Sequence, residues 1–546
     1  MILSWNRICL SAFLSLTCLL CGCGVKQLTI LEEGNISPQL DVVYPRIAEG
    51  DSIFTVQPVD STFALGSVVP ERSSVTVNGV PARVWDNGSF LAYFPLDEEN
   101  KIYSFEAVTS EGKTSTATIP FEYPDKSTDA SCKSYADSIN SLLPLRITFV
   151  RDHNVVRTSP RRAYWLFPLC GTTALADSFA MPYFRIPLTD DLHGWVEDKF
   201  VEIDTSCNKV VKSVLHSISV NANNGRTTVS IPLQERMLFN LIEQPESGSL
   251  RLDLFGATAR LDQIYYDPKG RIVREIRWNQ SSDDLLSLTI LLNISKLWGY
   301  RTFYHENTLK VEIRNEPKIA GHSLKGRKIV LDAGHGGDNL GAIGPTRLPE
   351  KEPNLEIVFA LKKLLEKEGA EVILTRENDS TVNIYDRIDY AVDQEAEILL
   401  SIHNNALPDG KNPFINRGSA VYYYRPQSRQ LAKHLHENLL ESSGLDDFGF
   451  YYKNLALTRP TELLAVLVEC AFIIHPEEEM LLQDDRFIKR VAKGLRNGIK
   501  DFLKEYKRQT KNQNRRFSPW FDSYNSRGFN PNKPIGRDGQ VHLHVP

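Results

Sequence analysis

Three apolar runs in this 546-residue chain end in residues that can do metal or acid–base chemistry. The first is Lys328-Ile329-Val330-Leu331, followed by Asp332-Ala333-Gly334-His335-Gly336-Gly337. The second is Leu400-Ser401-Ile402-His403-Asn404-Asn405, and the third is Leu467-Val468-Glu469. A further carboxylate, Glu350, precedes a helical stripe. Two imidazoles with one carboxylate form a recurring catalytic zinc set that leaves a fourth position for water. Neutral imidazole suits zinc, and a single carboxylate leaves residual positive charge to acidify that water. Residue types alone leave other readings open. A histidine after a strand is commonly a satisfied structural group, and the glycines can serve as turn residues. A phosphate loop fits less well, because the Walker Lys-Ser/Thr ending and the dinucleotide glycine spacing are both missing.

The surrounding pattern supplies elements that can bring these groups together. Leu355, Val358, Phe359, Leu361, Leu364 and Leu365 predict a helix over 354–368. Strands are expected at 328–331, 370–375, 398–402, 420–424 and 463–468, and further helices at 384–392, 427–441 and 484–504. Strands alternating with helices predict an α/β domain with a mainly parallel sheet. Such a sheet gathers ligands beyond the carboxyl ends of its strands, so wide spacing in sequence is no obstacle.

The same residues carry a family resemblance. Val330 to Gly337, Glu350-Lys351 with Asn354-Leu355, Leu374-Thr375-Arg376, Arg387, Ser401 to Ala406, and Leu467-Val468-Glu469 with Phe472 keep one order over about 180 residues. The segment 326–506 resembles the zinc-dependent N-acetylmuramoyl-L-alanine amidases of the amidase-3 type. That resemblance implies zinc ligands at His335, Glu350 and His403, and a catalytic carboxylate at Glu469. It implies peptidoglycan as substrate, cut at the amide between N-acetylmuramic acid and L-alanine, for wall remodelling or daughter-cell separation. Asn404 and Asn405 are then candidates for supporting the ligands or binding substrate. Arg459 is a candidate for the acidic peptide stem, and Asp332 for ordering the His335 loop. Arg376 and Arg387 are expected to brace the fold by pairing carboxylates. Cys470 is expected to point away from Glu469 and pack as an apolar residue. Certain relatives insert a long occluding helix after the second zinc histidine. Here only Leu407 to Val421 reach the next strand, with Pro408, Gly410, Pro413 and Gly418 among them. An open site with no need of an activator is therefore expected.

Upstream, short alternating runs separated by turns predict several small all-β domains. Residues 38–124 resemble an immunoglobulin-like domain, 145–205 a Src-homology-3-like domain, and 208–320 a β-rich, wall-targeting domain. The amino end carries Arg7, an apolar run to Cys21, and then Gly22-Cys23. This resembles a lipoprotein signal at 1–22, with Cys23 lipidated and 23–37 a tether. It implies a periplasmic enzyme anchored to a membrane, the outer membrane in preference. With 63 Lys+Arg against 68 Asp+Glu, the chain does not read as a nucleic-acid binder. Residues 507–546 hold eight Lys+Arg against two Asp+Glu and are expected to form a basic, disordered tail.

Overall fold

Ile329-Val330-Leu331 is apolar at every position because both of its faces are covered, as in an interior parallel strand. The computed structural model describes residues 37–525, apart from 48–50, 98, 125–129, 206, 207, 269, 271 and 320–323. The expected signal segment, Cys23, the tether up to 36, and 526–546 lie outside the described residues.

Labelled within the carboxyl-terminal domain, the first elements are β1 (Lys328–Ala333), α1 (Lys351–Lys367), β2 (Glu371–Leu374), α2 (Ile384–Asp393) and β3 (Ile398–Asn405). Next come β4 (Ser419–Tyr423), α3 (Arg429–Ser443), β5 (Asp447–Tyr452), β6 (Leu464–Phe472), α4 (Pro476–Leu482) and α5 (Asp485–Asn525). One sheet runs in the order β2-β1-β3-β6-β4-β5. All its pairs are parallel except β4 with β6. The expected mainly parallel sheet is therefore present. Strand β5 had no clear sequence signal, because it is an edge strand whose residues are mostly exposed or half-buried.

Two helical layers sandwich the sheet. Leu361 of α1, Leu435 of α3 and Val491 of α5 share a core with Leu331, Leu400 and Val466. The opposite face presents Val330, Leu399 and Leu467 to Ile388 and Ala391 of α2. Strand alternation places His403 and Glu469 on this second face. Helix α2 has 10 residues and brings Arg387 to the carboxyl end of β1. Cys470 points to the first face and is buried as a free thiol, as expected.

Two details differ from the sequence reading. Phe359 is 42% exposed, because the buried seam of α1 runs through Ile357, Val358, Leu361 and Leu365. Helix α5 continues to Asn525, so the expected tail from 507 is helical over its first part. Packing against the third β domain accompanies the start of the extension. The Tyr506 ring lies 5.0 Å from Trp298, and Thr510 Oγ1 lies 3.1 Å from Ser295 Oγ.

The upstream chain forms several small all-β domains. Residues 39–122 pair a four-stranded and a five-stranded sheet around Phe90, Phe94 and Phe105. Residues 145–204 fold around Phe149, Phe184 and Val196. Residues 213–314 fold as two further sheets around Leu252, Leu288 and Val311. The first of these domains grips loops at the metal-ligand end of the catalytic sheet. Tyr44 and Thr62 both donate to Asp409, Arg347 pairs with Asp41, and Arg83 pairs with Glu477 at 2.8 Å. The other two pack near the amino end of β6. The Tyr300 amide donates to the Thr461 carbonyl at 2.7 Å, and His153 stacks on Tyr385 at 4.1 Å.

Candidate metal centre

Strand register brings the distant segments together. Strand β3 pairs with β6 so that His403 stands opposite Glu469, and β1 pairs with β3 so that Asp332 stands opposite Ser401. His335 leaves β1 two residues after its end, and Glu350 stands immediately before α1. One ligand atom from each of His335, Glu350 and His403 falls within a 4.8 Å group. Glu350 Oε2 lies 3.0 Å from His335 Nε2, and Glu350 Oε1 lies 2.9 Å from His403 Nδ1. The two imidazole rings are 4.9 Å apart and nearly perpendicular.

This closeness needs specific backbone. A Cβ on Gly334 would fall 2.3 Å from His403 Cε1, so only glycine lets the β1 loop approach that ring. His335 itself has φ +62°, a conformation costing a non-glycine residue about 1–2 kcal/mol. Two arginines hold it there. Arg387 donates to the carbonyls of Ala333 and His335, each at 2.7 Å, and pairs with Asp332 at 2.7 Å. Arg376 donates to the carbonyls of Ala333, Gly334, Lys351 and Asn378. The expectation that both arginines pair carboxylates holds for Arg387 and is corrected for Arg376. The carbonyls of these loops have no strand partner, and a planar guanidinium with five donors satisfies several of them.

The electrostatics separate the carboxylates. Burial opposes the Glu350 charge, yet hydrogen bonds from His335 and His403 outweigh it and hold the group well below the usual range. Burial likewise opposes protonation of His335, but the hydrogen bond and charge of Glu350 win and raise it. A bound cation would take the place of that proton. Glu469 is pushed well above the ordinary carboxylate range by burial and by the Glu350 charge, with Lys453 opposing. Its Oε2 is buried and has no hydrogen-bond partner, and neither has His403 Nε2. Buried polar atoms are nearly always satisfied, so unpaired atoms beside one donor cluster suit a site that binds a further group. Two imidazoles and one carboxylate fit zinc by donor type and number.

The remaining sequence candidates separate clearly. Asp332 is fully buried and accepts from Ser401, Thr375 and Arg387, so it orders the loop and is not a ligand. Asn404 is buried, and its backbone amide donates to Glu350 at 3.1 Å while its side chain donates to Asn354 at 2.8 Å. It supports Glu350. Asn405 is half-buried at the rim, accepting from the Ala406 amide at 2.8 Å. Arg459 lies apart from the metal cluster. It precedes the amino end of β6, whereas Glu469 lies towards the other end. Its guanidinium stacks on Tyr164 at 4.7 Å and Phe167 at 5.5 Å. Sequence reasoning assigned no role to Asn354, Tyr422 or Lys453. Asn354 donates to Gly334 and Glu350, and Lys453 sits 5.3 Å over the Tyr422 ring, which neighbours Glu469. The run Tyr422-Tyr423-Tyr424 was the available signal for Tyr422.

An α/β sheet thus carries a His-Glu-His cluster with an adjacent carboxylate, a candidate metal centre with an acid–base group beside it. The sequence model of the N-acetylmuramoyl-L-alanine amidase family matches residues 329–501. The "Probable cell wall amidase LytH" of Staphylococcus saprophyticus is 31% identical over 235 residues, which is 42% of this chain and 74% of that protein. Its Staphylococcus epidermidis counterpart is 35% identical over 188 residues, 34% of this chain and 60% of the relative. The chain thus spans about 60% of the length of that relative. The solved catalytic domain of the N-acetylmuramoyl-L-alanine amidase CwlV from Bacillus (Paenibacillus) polymyxa is 32% identical. That likeness covers 33% of this chain and 98% of the solved one, with a TM-score of 0.31. The chain belongs, through its carboxyl-terminal domain, to the N-acetylmuramoyl-L-alanine amidase family.

Proposed function

We propose that this protein hydrolyses the amide joining the lactyl group of N-acetylmuramic acid to L-alanine in peptidoglycan, using zinc. The observation that carries this reading is the His335–Glu350–His403 cluster with the unpaired Glu469 carboxylate beside it. Family membership supports the substrate class. His335, Glu350 and His403 would hold the ion. When bound, zinc acidifies water and stabilises negative charge on oxygen.

The chain's own residues supply the remaining chemistry. Glu469 takes a proton from the attacking water as general base. It then returns that proton to the departing L-alanine nitrogen, because an amide nitrogen leaves poorly without one. Its raised proton affinity suits that second task. Asn354 and the Asn404 amide fix Glu350, and the Asp332–Arg387 pair fixes His335.

Residues 406–418 contain turns and no helix between β3 and β4, which supports a site open without an activating partner. The same reading places the enzyme outside the cytoplasmic membrane, anchored through a lipid on Cys23, for wall remodelling or cell separation. Loss of labelled-palmitate incorporation in a Cys23→Ser variant tests the anchor. For the reaction, the purified full chain is incubated with intact sacculi, with and without chelator, and products are identified by mass spectrometry. Free stem peptides and denuded glycan, lost on chelation, are expected. Peptide fragments cut within the stem would overturn the bond assignment.

A further inference from the structure

The second β domain forms a cleft with the β4–β5 edge of the catalytic sheet. The cleft has a volume of about 490 Å³ and is lined by Arg157, Arg162, Tyr164, Tyr424, Tyr452 and Lys453. No carboxylate lines it among the described residues. Arg157 shares its charge with Glu197 at 3.1 Å, but Arg162 and Lys453 have no ion-pair partner among the described residues. Tyr452 is 63% exposed, an unusual state for so large a ring. Tyr164 is clamped between the guanidinium groups of Arg157, at 4.4 Å, and Arg459, at 4.7 Å. The cleft thus joins two cations without an ion-pair partner, Arg162 and Lys453, to several aromatic ring faces, the combination that receives an anionic, partly apolar chain.

Strand β4 runs from beside Glu469 towards the cleft along one face of the sheet. Ala420 stands opposite Glu469 and Tyr422 opposite Leu467, so alternation puts Tyr422 on the Glu469 face. Tyr422 stacks on Tyr451 at 5.1 Å, and Lys453 reaches over Tyr422 from the cleft. From Ala420 to Tyr424 is four residues, about 13 Å at 3.3 Å per residue. That distance is too long for the atoms of the cleaved bond and within reach of the chain attached to them.

We propose that this two-domain cleft is a distal subsite for a carboxylate-bearing peptide stem on the same glycan strand as the stem being cut. The inference rests on the amidase reading above. It gives a role to a β domain that is remote from the metal cluster and brings the unpaired Arg162 to the edge of the catalytic sheet.

Arg162 is exposed and its side chain makes no ion pair, so Arg162→Glu tests the subsite without disturbing the core. The full chain and this variant are compared on three substrates: a soluble glycan with several free-carboxylate stems, the same glycan with amidated stems, and a single disaccharide-peptide. Arg162→Glu is expected to raise KM about tenfold on the first, equivalent to about 1.4 kcal/mol, with kcat unchanged. KM on the other two should stay as in the parent. An unchanged KM on the first substrate, or an equal rise on all three, overturns the subsite. Calorimetric binding of the same three ligands is measured in parallel. If no substrate is cleaved, the amidase reading fails by itself. Binding then decides the subsite. A preference for the free-carboxylate polymer that Arg162→Glu abolishes supports it, and equal binding by both proteins overturns it.

Discussion

The ends of β1 and β6 lie on either side of β3, and each carries a carboxylate, Asp332 fully buried and Glu469 half-buried with its Oε2 enclosed, with the opposite fate. Asp332 is surrounded by donors: Ser401 at 2.7 Å, Thr375 at 2.6 Å and Arg387 at 2.7 Å. Burial works against its charge, but the Arg387 charge and these hydrogen bonds outweigh it and hold the group below the usual carboxylate range. Glu469 Oε2 has no such donor, and burial together with the Glu350 charge pushes it far above that range. The same residue chemistry gives a brace at one strand end and a proton carrier at the other. The difference lies in satisfaction. A carboxylate whose lone pairs are filled is fixed in one state, whereas an unfilled one can exchange a proton.

The largest expected effect comes from removing the group that makes Glu469 useful. His403→Ala should lose bound metal and turnover together, to background, with the fold intact by circular dichroism. Full metal occupancy in that variant would remove His403 from the cluster. Next in size is the brace. Asp332→Ala leaves the Arg387 charge buried and uncompensated, which should cost about 3–5 kcal/mol of stability. That corresponds to a fall of roughly 10 °C in the catalytic-domain melting transition. A shift of less than about 2 °C would show that Asp332 is not the brace described.

A smaller effect appears in the pH dependence of stability. The folded Asp332 carboxyl titrates below its unfolded value of about 3.9. Its contribution is therefore present above about pH 3.9 and is lost as pH falls towards the folded value. Asp332→Asn should flatten the stability profile in that acid window and leave its slope near neutral pH unchanged. Parallel acid profiles for the two proteins would contradict the assignment.

The sequence made this contrast only partly visible. His335, His403 and Glu469 were legible because each closes an apolar run, and parallel strand ends converge whatever their spacing. Glu350 was legible through its place before α1. Satisfaction was not legible, because hydrogen-bond partners such as Thr375 and Asn354 are fixed by tertiary packing and carry no local pattern. Arg376 shows the same limit. Its type suggested an ion pair, yet the nearest unmet groups were loop carbonyls. The aromatic partners of Arg459, Tyr164 and Phe167, were likewise not legible, because they come from a separate β domain. Helix α5 outran its expected end because the third β domain covers it, a contact that helical periodicity cannot report.

The most direct test uses Glu469→Gln in the full chain, which keeps side-chain size and removes the exchangeable proton. Metal content and turnover on a defined disaccharide-peptide are measured on the same sample. The predicted result is wild-type metal content with turnover lowered by about 10²–10⁴-fold. Turnover within about threefold of wild type, with metal bound, would contradict the assignment of Glu469 as the group that carries the proton.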